Sequence, residues 1–125
     1  MAYQRKLGRD IRCPLEYGME LFGGKWNSRI ICVLSTLGTL RYSEMRKEMG
    51  NITDAVLAST LKNLIGNGIV IRNAYQEIPP RVEYSLSEKG RSVVPILQSI
   101  CKWAGVFYKD GTDAPMVQCQ RCDYR

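Results

Sequence analysis

Thr53-Asp54-Ala55-Val56-Leu57-Ala58-Ser59-Thr60-Leu61-Lys62-Asn63-Leu64-Ile65-Gly66, then Asn67-Gly68 and Ile69-Val70-Ile71-Arg72-Asn73-Ala74-Tyr75, is the stretch in which the chain changes its period. In the first run Leu57, Leu61, Leu64 and Ile65 fall at i, i+4, i+7 and i+8, which is one face of a helix, and Thr53 is a good N-cap. Gly66 and Gly68 frame its end. The second run is short and rich in β-branched residues, so it reads as a strand. Its partner follows, with Val82, Tyr84 and Leu86 alternating against Arg81, Glu83 and Ser85. Between them Gln76-Glu77-Ile78-Pro79-Pro80 is a loop stiffened by two prolines that cannot join a ladder.

Working outward, Pro14 suits the first turn of a short helix carrying Tyr17, Met19, Leu21 and Phe22, ended by Gly23-Gly24. A second helix is expected from about Lys25 to Thr36, with Trp26, Ile30, Ile31, Val33, Leu34 and Leu37 as its buried stripe and Gly38 as its stop. Thr39 to Tyr42 form a short extended link. Ser43, Arg46 and Met49 fit a third, short helix closed by Gly50. After the hairpin Ser87 caps a last helix to about Tyr108, which Pro95 should kink or delay. Two short helices joined by a tight turn and followed by a β-hairpin make a winged helix-turn-helix. The expected class is α+β, mainly α, with dimerisation helices at the two ends of the domain. Residues 1–12 read as a basic arm, 13–109 as the domain, and 110–125 as a polar tail holding a CxxC pair.

Composition narrows the function. Across 125 residues Lys and Arg number 18 against 12 Asp and Glu, a formal charge of +6 that favours a polyanionic partner, nucleic acid before an anionic membrane surface. There is no His, so Ser-His and Cys-His nucleophiles and His-bound metals are excluded. A binding protein is expected rather than an enzyme, with no cofactor. No run reaches the roughly 18 apolar residues of a membrane span, and the basic start is not followed by the apolar run of a signal peptide. The five Cys are an odd number without the spacing of a disulfide scaffold, which suits a reduced, cytoplasmic protein.

Several runs carry a resemblance: Cys13-Pro14-Leu15-Glu16-Tyr17, Gly23-Gly24-Lys25-Trp26, Leu40-Arg41-Tyr42-Ser43-Glu44-Met45, Pro79-Pro80-Arg81-Val82-Glu83-Tyr84-Ser85-Leu86 and Glu88-Lys89-Gly90-Arg91. In order and spacing, over about residues 13–107, the chain resembles the HxlR family of bacterial winged-helix transcription regulators. The resemblance implies a homodimer that binds double-stranded DNA, with the fourth helix in the major groove and the hairpin as wing. It also implies a thiol at Cys13 that some members use to sense electrophiles or oxidants.

A recognition helix buries its apolar stripe and turns its first turns to base edges. Here Asp54, Ala55, Ala58, Ser59 and Lys62 would face outward beyond the cap Thr53. No Arg, Asn or Gln stands on its first two turns to specify guanine or adenine by a bidentate contact. Asp54 can accept from a cytosine amine or simply favour the helix N-terminus. Affinity is then expected from Arg41, Ser43, Arg46 and Lys47 at the third helix and from Lys25 at the start of the second. Arg81, lifted by the prolines, either enters a minor groove or pairs with Glu83. For all of these the plain alternative is solvated surface charge.

On the last helix Val93, Ile96, Leu97, Ile100, Trp103, Val106 and Phe107 occupy more than one face, so the helix needs its own core and a second subunit. Ile96, Ile100, Trp103, Val106 and Phe107 are the expected dimer contacts. Cys13 lies just before the first helix beside Arg12, where dipole and guanidinium favour thiolate, or it is a small residue with no chemistry. Cys32 and Cys101 are expected in core or interface. Cys119 and Cys122 supply only two soft ligands, short of the four a structural zinc needs, so no metal is assigned. Two other functions stay open: a nucleic-acid-binding module without regulation, and a thiol-redox protein using the CxxC. The effector, a small molecule or an oxidant, is left open.

Overall fold

A computed structural model describes residues 10–108. Helix α1 (Pro14–Phe22) begins on a proline, whose missing N–H is no loss in a first turn. Helix α2 (Lys25–Leu37) follows, then the two-residue strand β1 (Leu40–Arg41), α3 (Tyr42–Met49) and α4 (Asp54–Gly66). Strands β2 (Val70–Tyr75) and β3 (Arg81–Leu86) form the hairpin, and α5 (Glu88–Gly105) closes the domain. The expected winged helix-turn-helix is the observed architecture, with a three-stranded antiparallel sheet in the order β1-β3-β2.

The core forms where the apolar stripes converge. Ile30, Ile31, Val33 and Leu34 of α2, Met45 and Met49 of α3, and Leu57, Leu61 and Leu64 of α4 pack with Ile69, Val70, Leu86 and Val93. Each fully buried aliphatic side chain stabilises the fold by about 1.5–3 kcal/mol. Between α3 and α4 the chain turns through Gly50 at φ 77°, a conformation that side chains with a Cβ rarely adopt, and Ile52 anchors the turn in the core. Thr53 caps α4 by accepting from the Val56 N–H at 3.2 Å. Ser87 does the same for α5 through the Gly90 N–H at 3.0 Å. Gly90 sits against the β2 approach so closely that an added Cβ would collide with the Ile69 carbonyl.

Because β3 is the central strand, its residues 81–85 are all half-buried instead of alternating cleanly. Two further expectations change. Pro95 does not delay helix α5, which runs from Glu88 through it, because that proline is exposed and the carbonyl it leaves without a helical partner belongs to exposed Arg91. Cys32 and Cys101 are exposed on their helices, not in the core. The basic positions Arg5, Lys6 and Arg9 and the Cys119–Cys122 pair lie outside the described residues.

Candidate nucleic-acid interface

Helix α4 buries one face and leaves the other open. Leu57, Thr60, Leu61 and Leu64 point inward, while Asp54, Ala55, Ala58, Ser59 and Lys62 form a continuous exposed strip. The one buried polar side chain on it is satisfied, since the Thr60 hydroxyl donates to the Val56 carbonyl at 2.7 Å. The open strip is narrow in side-chain bulk, so a groove wall can approach the α4 backbone closely.

Helix α3 is braced across the start of α4. The Arg46 Nε donates to Asp54 Oδ1 at 2.8 Å, and its Nη1 reaches the Gly50 carbonyl at 3.4 Å. The Tyr42 hydroxyl donates to the Asp54 carbonyl at 3.1 Å. Burial pushes the Tyr42 phenol above its ordinary value of 10.0, and the negative Asp54 adds to that while Arg46 opposes it. The Asp54 side chain is 76% exposed, so this ion pair is worth at most about 1 kcal/mol and a phosphate can compete for the arginine. At the other end of α3 the Arg41 N–H donates to the Glu44 carboxylate at 2.8 Å, leaving the Arg41 guanidinium in solvent. Ser43 and Lys47 are exposed on the same helix. Lys25 stands over the Trp26 ring, its Nζ 4.7 Å from the centroid, with Arg29 at 5.0 Å.

Arg81 pairs with Glu77 at 2.8 Å and Glu83 at 3.4 Å, and its guanidinium lies 4.0 Å from the Tyr75 ring centroid. Of the two roles open to Arg81, the structure builds the internal one: two acids and one cation hold the hairpin together. A cation that sequence reasoning missed stands nearby, Arg72 on β2, beside Lys62 at a cleft between α4 and the sheet.

The far side of the domain is apolar. Trp103 and Phe107 meet in a tilted pair, 5.4 Å between centroids and 55° between planes, and Ile96, Ile100, Trp103, Val106 and Phe107 are all 45–67% exposed. Leu15 and Met19 of α1 are likewise exposed. Cys13 occupies the N-cap position of α1, and its thiol donates to Glu16 Oε2 at 3.5 Å. The Arg12 guanidinium is engaged by Asp10 at 2.9 Å through a two-bond fork. Among the described residues no group of His, Cys, Asp or Glu is placed to hold a metal ion, and no helix is long and apolar enough to cross a membrane.

A braced helix pair with an open second helix and a hairpin at its flank defines a winged helix-turn-helix DNA-binding protein. A family model described as HxlR-like helix-turn-helix matches residues 21–112, and the chain belongs to that family. It is 43% identical over 95 residues to an uncharacterized HTH-type transcriptional regulator of Methanothermobacter thermautotrophicus, covering 76% of this chain and 72% of the relative. It is 41% identical over 97 residues to the uncharacterized HTH-type transcriptional regulator YdzF of Bacillus subtilis, covering 78% and 89%. Among solved structures it is similar to the reduced form of the transcriptional regulator YodB from B. subtilis, with a TM-score of 0.72 and 36% identity over 81% of this chain and 99% of that one. The redox regulator HypR in its oxidized form gives a TM-score of 0.71 and 36% identity, covering 78% and 99%. The chain is a DNA-binding transcription regulator of the winged helix-turn-helix type.

Proposed function

We propose that the protein works as a homodimer that binds a specific operator, with α4 in the major groove and binding altered by modification of Cys13. The open, small-residue face of α4, braced by α3 at its start, is the observation that carries the groove assignment. Lys25, Arg41, Ser43 and Lys47 take backbone phosphates. Thr53, Ala55, Ala58, Ser59 and Lys62 lie along the groove, while Arg46 and Asp54 set the angle between the two helices. Arg81 serves the wing's own rigidity. The dimer reading rests on the unpartnered apolar residues of α5 and α1. The thiol reading rests on an exposed Cys13 at the head of α1, on the same helix as Leu15 and Met19, and on similarity to a redox regulator. In that reading a change at Cys13 acts on the subunit interface, and the protein has no catalytic role.

Selection from a random duplex library tests the first part. One enriched twofold motif is expected, its half-sites about one helical turn apart. A pool that stays random while binding remains salt-dependent would replace regulation with a sequence-independent nucleic-acid module, the reading that the donor-poor α4 face favours. For the thiol, Cys13→Ser should leave reduced-state affinity intact and abolish the response of operator binding to diamide. A response that survives in Cys13→Ser removes the residue from the sensor.

A further inference from the structure

Strand register places an arginine where an apolar residue is the rule. In the ladder Leu40 pairs with Tyr84 and Tyr84 with Arg72, and directly opposed residues share one face of a sheet. Leu40 is buried in the core, so this is the inward face, and Val70 on the same side of β2 is buried as well. Arg72 is therefore an inward-facing cation on an edge strand, reaching out past the sheet toward α4. There it lines a cleft of about 270 Å³ with Ala58, Lys62 and Ile65 of α4, Tyr42 and Tyr84.

Among the described residues neither Arg72 nor Lys62 has an ion pair or hydrogen bond, whereas Arg46, Arg81 and Lys89 all do. Of the cations on the hairpin, Arg81 is held between Glu77 and Glu83, which leaves Arg72 as the free one. Two cations thus line one cleft, and among the described residues no carboxylate pairs with either. A shared anion would complement both. The cleft opens beside Ala58 and Lys62, on the strip of α4 assigned to the groove, and a water's share of liquid volume is only about 30 Å³, so a phosphate group fits.

We propose that Lys62 and Arg72 grip a single backbone phosphate of bound duplex, clamping the strand between the middle of α4 and the root of the wing. This rests on the DNA-binding reading and adds to it a contact that carries no base preference and sets how far α4 can slide along the groove. The wing then contributes through its base, and the acidic pairs of Arg81 keep its tip from competing.

Affinity for two unrelated 24-base-pair duplexes, measured by fluorescence anisotropy across a salt series, tests the clamp. Lys62→Gln and Arg72→Gln should each weaken binding about tenfold on both duplexes, the scale of one charged hydrogen bond. Because the remaining cation still neutralises the shared phosphate, each single variant should keep nearly the wild-type salt slope. The double variant removes the last neutralising charge, so it should bind more weakly than either single one and lose about 0.9 from the slope. Arg72→Lys should restore most of the affinity, and equal thermal melting of Arg72→Gln and wild type excludes a folding effect. Wild-type affinity in Arg72→Gln overturns the clamp, as does a slope that falls by about 0.9 in each single variant and twice that in the double. If the wild-type chain shows no salt-dependent binding to either duplex, the DNA-binding reading itself fails.

Discussion

Replacing Trp103 by Ala is the sharpest perturbation of the proposed dimer. The ring is 67% exposed and belongs to no part of the buried core, so its removal should leave the monomer folded. An aromatic side chain buries about 150–250 Å², so two-thirds exposure leaves about 100–170 Å² for a partner to cover. At about 25 cal/mol per Å² that is worth about 2.5–4 kcal/mol per subunit, and a twofold interface counts it twice. Ordering the ring and the surface kept by Ala reduce the sum, and about 3–4 kcal/mol for the pair is a fair expectation. Phe107, paired with Trp103 at 5.4 Å, also loses its neighbour. The subunit dissociation constant should therefore rise a hundred- to a thousandfold, since about 1.4 kcal/mol is a factor of ten. Sedimentation equilibrium of reduced protein over nanomolar to micromolar loading reads it directly, with circular dichroism to confirm a folded chain. Lys47→Ala, on α3 and not part of the apolar face of α5, should dimerise like wild type. A wild-type monomer at tens of micromolar, or an unchanged constant in Trp103→Ala, refutes the reasoning.

Three further outcomes follow from single contacts. Gly90→Ala, normally favourable within a helix by up to about 1 kcal/mol, should instead destabilise by about 1–3 kcal/mol in denaturant titration, because the new Cβ meets the Ile69 carbonyl and Leu86. Tyr42, its phenol held up by burial and by Asp54, keeps its proton longer in the folded chain than in the unfolded one. Its share of stability is full below about pH 10 and drains away as pH rises through the raised value. Tyr42→Phe should flatten that alkaline decline while lowering the neutral-pH plateau by about 1 kcal/mol for the lost bond to the Asp54 carbonyl. Asp54→Asn removes an acid from the groove face and frees Arg46, so duplex affinity should rise and the salt slope steepen by up to about one, at a stability cost under about 1 kcal/mol. A fall in affinity confined to one operator sequence would instead make Asp54 a base reader.

What the sequence disclosed follows from how local each signal is. The helices α2 and α4 and the hairpin were legible because their apolar spacing and glycine stops lie within a dozen residues of each other. Even β1, only Leu40–Arg41, was legible as an extended link, though its pairing with β3 was not. The pairing of Arg46 with Asp54 spans eight positions across the turn, and only the angle between α3 and α4 creates it. Arg81 shows the same limit: Glu83 was visible as a partner from the strand's alternation, but Glu77 comes within reach only once the loop is closed. Arg72 escaped notice because a lone cation in a strand reads as solvent-facing until register fixes its side of the sheet. For Cys32 and Cys101 neighbouring apolar residues pointed to core or interface; exposure on their helices removes the core alternative and leaves the interface one.

The distribution of partners among the cations bears on how such a module is regulated. Arg46 and Arg81 arrive at the duplex already paired, so binding exchanges one anion for another and adds little net attraction. Among the described residues, Lys25, Arg41, Lys47, Lys62 and Arg72 are the proposed contacts that carry no ion pair, and the proposed base-reading strip is short of donors. On the proposed reading one module alone would bind weakly at physiological salt, and useful affinity would depend on two modules held at a fixed separation. Under those conditions a small change at the subunit surface has more leverage than any change in the groove itself. Tilting one module by a fraction of a helical turn takes its α4 out of register and costs the whole second set of contacts. Cys13 stands at the head of α1, on the helix that also exposes Leu15 and Met19. In the proposed dimer, modification at Cys13 would change the separation of the two modules while leaving each one's own chemistry intact. Single modules dissociated by Trp103→Ala should consequently bind a half-site duplex with the same weak affinity whether Cys13 is reduced or oxidised, and a half-site affinity that changes with oxidation would locate the effect inside the module instead.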